Sequence, residues 1–294
     1  DQAYKGTSRQ DFDFKQWFGV SSDLSNYALG SHEPFPEQWN TRATEAGTGL
    51  FMTPVPLATE NILKEGFPAD RVFEVGNTVV DAMSFVEMKE ESGGGAEGQG
   101  IFDRYPELVD GFVRVCIHRR ENTESDERFT ALFEMVEQLA VSDLSIPILW
   151  ILLPGTKSAI KRLKLKDRLE SLRGKSNILV SDVWPKYSDV IAAMAKCVLC
   201  ATDSGSMQEE MNMMGIPCAT LRYGSDRPET FPARSNVLCP PVSAKVMTEI
   251  LLGALENVDQ FLYPKLYGSN VSEKLVTCVT KFLDDGGDLI RLKP

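Results

Sequence analysis

From residue 50 onward, short apolar runs alternate with longer stretches whose apolar residues return every three or four positions. Short runs of this kind read as strands, and the 3.6-residue period reads as helix. The pattern predicts strands over 50–52, 71–75, 112–117, 146–153, 177–181, 197–201 and 218–221. It predicts helices over 56–65, 79–88, 126–139, 157–172, 188–195 and 206–214, with closing helices over 244–255 and 272–282. Such alternation implies an α/β fold with a parallel sheet covered on both faces. Ligands of such sheets sit beyond the carboxyl ends of the strands. That rule puts His118, which follows one strand, and Asp203 to Ser206, which follow another, at the same edge.

Two regions break the pattern. Residues 90–100 read E-E-S-G-G-G-A-E-G-Q-G, a composition that cannot pack a core and predicts a flexible loop. Residues 1–49 show little periodicity apart from a helical stretch over 38–46, preceded by the rigid segment Pro34-Phe35-Pro36. His32, one of two histidines, reads as a loop residue there.

A chain of 294 residues with 43% apolar and 25% charged positions has the make-up of a soluble globular protein of one or two domains. It contains no apolar run long enough to span a bilayer. It starts at Asp1 without a charged and apolar leader, as a fragment or processed product would. The net charge of −11 argues against nucleic acid and anionic membrane as partners. Six cysteines lie mostly in apolar runs, the pattern of buried free thiols in a reducing compartment. Cys197 and Cys200 have C-x-x-C spacing but fall inside a strand with no second pair, which disfavours zinc or redox chemistry.

The most informative segment is A-T-D-S-G-S-M-Q-E-E, residues 201–210, a strand end, a Gly/Ser turn and a helix start. Such a junction offers backbone N–H groups and the positive end of a helix dipole to an anion. An ordinary N-cap at Ser204 or Ser206 accounts for the serines equally well on local grounds. A second polar cluster, Arg222-Tyr223-Gly224-Ser225-Asp226-Arg227-Pro228-Glu229, follows. A cradle followed by a cationic turn points to a phosphorylated ligand. There is no Gly-x-Gly-x-x-Gly and no P-loop, so nicotinamide and ATP lack their usual support.

Four blocks in order carry a family resemblance. They are Pro34-Phe35-Pro36-Glu37-Gln38-Trp39-Asn40; Thr59-Glu60-Asn61 running on to Val75-Gly76-Asn77-Thr78-Val79-Val80-Asp81; His118-Arg119-Arg120-Glu121-Asn122; and Thr202-Asp203-Ser204-Gly205-Ser206-Met207-Gln208-Glu209-Glu210 with Arg227-Pro228-Glu229. Over about residues 20–285 the chain resembles the non-hydrolysing UDP-N-acetylglucosamine 2-epimerases. The resemblance implies a GT-B architecture, two Rossmann-like domains with the nucleotide sugar in the cleft between them. It implies that residues 1–78 are the remainder of the N-terminal domain, 79–265 the UDP-binding domain and 266–294 a helix returning to the first domain. Family members carry about a hundred further N-terminal residues, most of a small domain, so the first domain is expected to be largely missing from this chain. Their Gly-Thr-Arg-Pro-Glu and His-Gly-Asp blocks have no counterpart here, and Ser206 and Asp226 stand where the family has Gly and Glu.

The implied activity interconverts UDP-GlcNAc and UDP-ManNAc by elimination and re-addition of UDP, without metal or cofactor, in a cytoplasmic homodimer. By the same resemblance His118, Glu37 and Asp23 are the catalytic candidates, Asp23 by spacing alone. Ser204, Gly205 and Ser206 would cradle the diphosphate, Arg227 would neutralise it, and Glu210 would hold the ribose hydroxyls, with Glu209 beside it as a solvated helix glutamate. Two alternatives stay open: a non-catalytic UDP-sugar-binding relative acting as sensor or assembly subunit, and a GT-B glycosyltransferase.

Overall fold

A computed structural model describes residues 37–45, 47–91 and 100–287. The expected loop over 90–100 is narrower than predicted. One helix, Val79–Glu91, runs into it and another, Gly100–Arg104, begins at its last residue. Residues 92–99 lie outside the described set, as do Asp23, His32 and the Pro34–Pro36 segment.

Two parallel sheets form. The smaller pairs β1 (Phe51–Thr53) with β2 (Val72–Glu74). The larger contains β3 (Phe112–Ile117), β4 (Ile148–Leu152), β5 (Ile178–Asp182), β6 (Cys197–Thr202), β7 (Cys218–Thr220) and β8 (Asn236–Leu238). Its spatial order is β5-β4-β3-β6-β7-β8. Counted from β3 this is the doubly wound order 3-2-1-4-5-6, whose direction of winding reverses between β3 and β6.

Side chains alternate along β3 because a strand has period two. Val113, Val115 and Ile117 pack with the Asp126–Leu139 and Ala244–Glu256 helices on one face. Phe112 and Cys116 pack with the Tyr187–Met194 and Gly205–Met214 helices on the other. The β3–β6 register slips where Phe112 and Val113 meet Cys197 and Leu199. A bulge flips every later side chain, so Cys197 and Cys200 share a face despite their odd spacing. Both are buried free thiols.

The helix expected over 157–172 is two helices, Pro154–Arg162 and Lys166–Arg173. Lys164 takes φ +56° and the Leu165 N–H donates to the Ile160 carbonyl at 2.9 Å, a helix-ending turn that buries Leu165. The strand β8 was not expected at all, and it closes one edge of the sheet against β7.

The C-terminal helix, Val271–Asp284, is fastened to the start of the Val79–Glu91 helix. The Asp81 carboxylate accepts the N–H groups of Val271 and Ser272. Gly76, at φ +102°, lies so close to the Tyr267 carbonyl that any β-carbon would collide with it. The Asn77 N–H donates to that carbonyl at 3.0 Å. The Gly76 to Asp81 block is thus a clamp on the Tyr267–Gly268 turn. No helix among the described residues is long and apolar enough to cross a membrane.

Candidate functional site

The site grows from the point where the sheet reverses. His118 leaves the end of β3 and Asp203 the end of β6, and the fold brings them together. The fully buried Asp203 carboxylate accepts the His118 N–H at 2.9 and 3.0 Å, the Arg119 N–H at 2.9 Å and the Asn122 amide at 3.0 Å. His118 Nδ1 stands 3.0 Å from Asp203 Oδ1, at ion-pair distance though not aligned as a hydrogen bond. Burial disfavours the charged ring, but Asp203 and the neighbouring Cys116 outweigh it, and the imidazole is pushed up to about 10. At neutral pH His118 is therefore a cation and a proton donor.

Directly after Asp203 the Gly205–Met214 helix begins. Ser204 is its N-cap, with its hydroxyl 3.5 Å from the Met207 N–H and 3.3 Å from the Ser206 hydroxyl. The cap uses the serine side chain, and first-turn N–H groups have no partner within a helix. Both readings of this turn are therefore compatible. Gln208, fully buried one turn on, binds the helix start to the second polar cluster. Its amide donates to the Ser204 carbonyl at 3.1 Å, and its oxygen accepts from Ser225 at 2.6 Å and Asn236 at 3.0 Å. Asn236 also donates to Thr220 and Thr230. This buried network fixes the 222–229 turn against the helix start.

Three guanidinium groups lie along that turn. Arg222, only 3% exposed, donates to Asp226 Oδ1 at 2.9 Å and stands 3.4 Å from Glu121. Arg119 pairs with Glu37 and lies 3.6 Å from Asp226 Oδ2. Arg227 pairs with Glu209, donates to the Asp226 carbonyl at 2.8 Å and reaches its Oδ2 at 3.5 Å. Burial would raise the Asp226 carboxyl, but these arginines hold it below its ordinary value. Burial pushes Glu121, Glu209 and Glu229 up. Glu209 is not a solvated helix residue: it is 3% exposed and holds Arg227. A cavity of about 400 Å³ opens beside Arg227, with Thr53, Asn77, Glu209, Asp226 and Glu229 in its lining. Behind the lining, the Tyr267 hydroxyl donates to Glu229 at 2.8 Å.

The fold thus unites His118, Ser204, Gly205, Ser206, Arg227 and, through Arg119, the half-exposed Glu37. Glu210 sits apart from this group, its carboxylate accepting from Tyr187 at 2.9 Å and pushed up by burial. Glu37, His118, Ser204, Gly205, Ser206 and Glu210 lie outside the lining of the cavity at Arg227. Asp23 lies outside the described residues. Sequence reasoning gave no role to Arg119, Arg222, Asn122, Gln208, Asn236 or Tyr187. Three of these sit inside blocks already quoted for the resemblance, and Arg222 opens the polar cluster. Among the described residues, no group of three His, Cys, Asp or Glu side chains is placed to hold a metal ion.

The family described as UDP-N-acetylglucosamine 2-epimerase matches residues 29–279. A UDP-N-acetylglucosamine 2-epimerase of Methanocaldococcus jannaschii is 30% identical over 227 residues, 76% of this chain and 59% of that protein. A UDP-2,3-diacetamido-2,3-dideoxy-D-glucuronate 2-epimerase of Pseudomonas aeruginosa is 28% identical over 205 residues, 69% of this chain and 52% of that protein. The chain therefore spans a little over half the length of these curated relatives. Among solved structures, the M. jannaschii enzyme in complex with UDP-GlcNAc and UDP superposes with TM-score 0.74 at 24% identity, covering 91% of this chain and 73% of that one. The Neisseria meningitidis enzyme bound to UDP-GlcNAc gives TM-score 0.75 at 20% identity, covering 94% and 83%. These structural matches establish the GT-B, Rossmann-like fold. With the family matched across most of its length, this chain belongs to the UDP-N-acetylglucosamine 2-epimerase family.

Proposed function

We propose that this chain forms the UDP-binding part of an isomerase that interconverts UDP-GlcNAc and UDP-ManNAc. The observation that supports it most directly is the convergence of His118, Asp203 and the Ser204–Gly205–Ser206 helix start at the sheet reversal, with Arg227 beside them. In this reading the diphosphate lies on the N–H groups of Gly205 and Ser206, and Arg227 neutralises it. Charge develops on UDP as it leaves C1, and fixed donors placed where charge appears lower the barrier. His118, cationic at neutral pH, serves as one of those donors and not as a base. Glu37 and Asp23 are assigned the proton transfers at C2, one on each face of the ring. Glu210 takes the ribose hydroxyls, with Tyr187 setting the direction of its carboxylate.

The reading assigns residues 1–78 to the remainder of a first domain, 79–265 to the UDP-binding domain and 266–294 to a segment that returns to the first. It requires no metal. It also places the protein in the cytoplasm as a homodimer, which the family likeness alone supports and which light scattering tests. The decisive experiment incubates the protein with UDP-GlcNAc in deuterated water. UDP-ManNAc carrying deuterium at C2 is expected; neither label nor product at saturating ligand would overturn the assignment.

A further inference from the structure

We propose that the Asp226 carboxylate is a resident anion, seated at the helix start and displaced when a diphosphate binds. The inference rests on the diphosphate reading of the cradle and deepens it. A β-carbon built on Gly205, the first residue of the Gly205–Met214 helix, would stand 3.0 and 3.1 Å from the two Asp226 carboxylate oxygens. The carboxylate is therefore packed against the helix start, where glycine alone leaves it room. Arg222, Arg119 and Arg227 surround it at 2.9, 3.6 and 3.5 Å. These are the groups a phosphate would recruit: a helix N-terminus and a ring of guanidinium donors. The Nε of Arg222, itself buried, has no acceptor, so the ring holds donor capacity that a single carboxylate does not use.

The cations here are already matched. Glu121, Glu209 and Asp226 each face at least one of these arginines, and Glu37 pairs with Arg119. A diphosphate added on top of this arrangement would meet a like charge at close range, which is strongly unfavourable. Of the carboxylates at the ring, Asp226 is the one that lies against the helix start. It is held there by one short guanidinium contact, two longer ones and the N–H of its own residue. Rotation of its side chain clears the helix N-terminus and removes one acceptor from each of three guanidinium groups, whose other carboxylate partners stay in place.

The test is Asp226→Asn, which keeps the shape and removes the charge, assayed by calorimetry with inorganic pyrophosphate and with UDP. Pyrophosphate and UDP are expected to bind roughly ten-fold tighter than to the native protein, while the ligand-free variant melts at a lower temperature. Binding that is weaker or unchanged would overturn the inference and make Asp226 an ordinary support for the arginines. Asp226→Ser carries the same expectation should the asparagine variant fail to fold. Crystals of the native protein soaked in UDP give a second reading: the carboxylate should have left Gly205, and a carboxylate still seated there beside bound diphosphate refutes displacement. The two ligands separate the two ideas. Tighter pyrophosphate binding with no preference for UDP keeps the resident anion and removes the nucleotide reading. Native UDP binding that does not strengthen in Asp226→Asn does the reverse.

Discussion

Asp203 and Asp226 flank the same helix start and are held in opposite ways. Asp203 is fully buried and takes two backbone N–H groups, the Asn122 amide and the His118 ring within 3.0 Å. Asp226 takes no backbone N–H but that of its own residue and is held by three guanidinium groups, two of them at 3.5 and 3.6 Å. Backbone donors cannot turn away, and side chains can. The first carboxylate is a fixture of the fold, and the second is exchangeable. A site that must bind and release a highly charged ligand needs both kinds: one to keep the cradle in place, one to yield.

The comparison breaks most visibly at Asp203. Asp203→Ala leaves two backbone N–H groups without an acceptor, removes one of the Asn122 amide's two acceptors and leaves the His118 ring without its counter-charge, and we expect a loss of about 3–5 kcal/mol in chemical denaturation. A loss under about 1 kcal/mol would mean that the contacts are not structural. Arg227→Ala should weaken UDP binding by roughly 2–3 kcal/mol, read by calorimetry, because it removes the cation and leaves Glu209 buried without its partner. Protein that binds UDP as well without Arg227 removes the guanidinium from the site.

A titration sharpens the contrast further. The His118 ring is raised from 6.5 to about 10 in the folded protein. A group raised on folding contributes its full stability below the unfolded value and loses it as pH climbs through the folded one. Unfolding free energy should therefore decline between pH 6.5 and about 10, and His118→Gln should flatten that decline. An unchanged slope in the variant assigns the titration elsewhere. The smallest effect belongs to Tyr187→Phe, which deprives the partly buried Glu210 of its hydroxyl donor. A loss of about 0.5–1.5 kcal/mol in UDP affinity, with none for pyrophosphate, is expected. An equal loss for both ligands would detach Glu210 from the ribose.

Much of this was legible in the chain. Apolar runs such as 112–117 and 197–201 marked the central strands within a residue, because strands buried on both faces are continuous in hydrophobicity. The rule for strand ends placed His118 and Asp203 together before any contact was known. What stayed hidden was set by tertiary packing. The strand Asn236–Leu238 is three residues long and begins with a buried asparagine whose amide nitrogen donates to Gln208, Thr220 and Thr230. No local pattern encodes those partners. Lys164 gave no sign of a left-handed turn, since nothing about a lysine favours one. Glu209 looks like any surface glutamate until the 222–229 turn folds over it and supplies Arg227. Charges cancelled across sequence separations of this kind are what a reading along the chain misses.

The clamp at Gly76 and Asp81 has a bearing on the order in which contacts form. Asp81 and Val271 are 190 residues apart, and contacts that distant in sequence form late because long loops must close first. Tyr267, whose hydroxyl donates to Glu229 beside Arg227, sits in the turn that the clamp holds. During synthesis the Tyr267–Gly268 turn therefore cannot be clamped until the Val271–Asp284 helix has emerged. A nascent chain stalled short of that point would have its large sheet formed and Glu229 without the Tyr267 hydroxyl held against it.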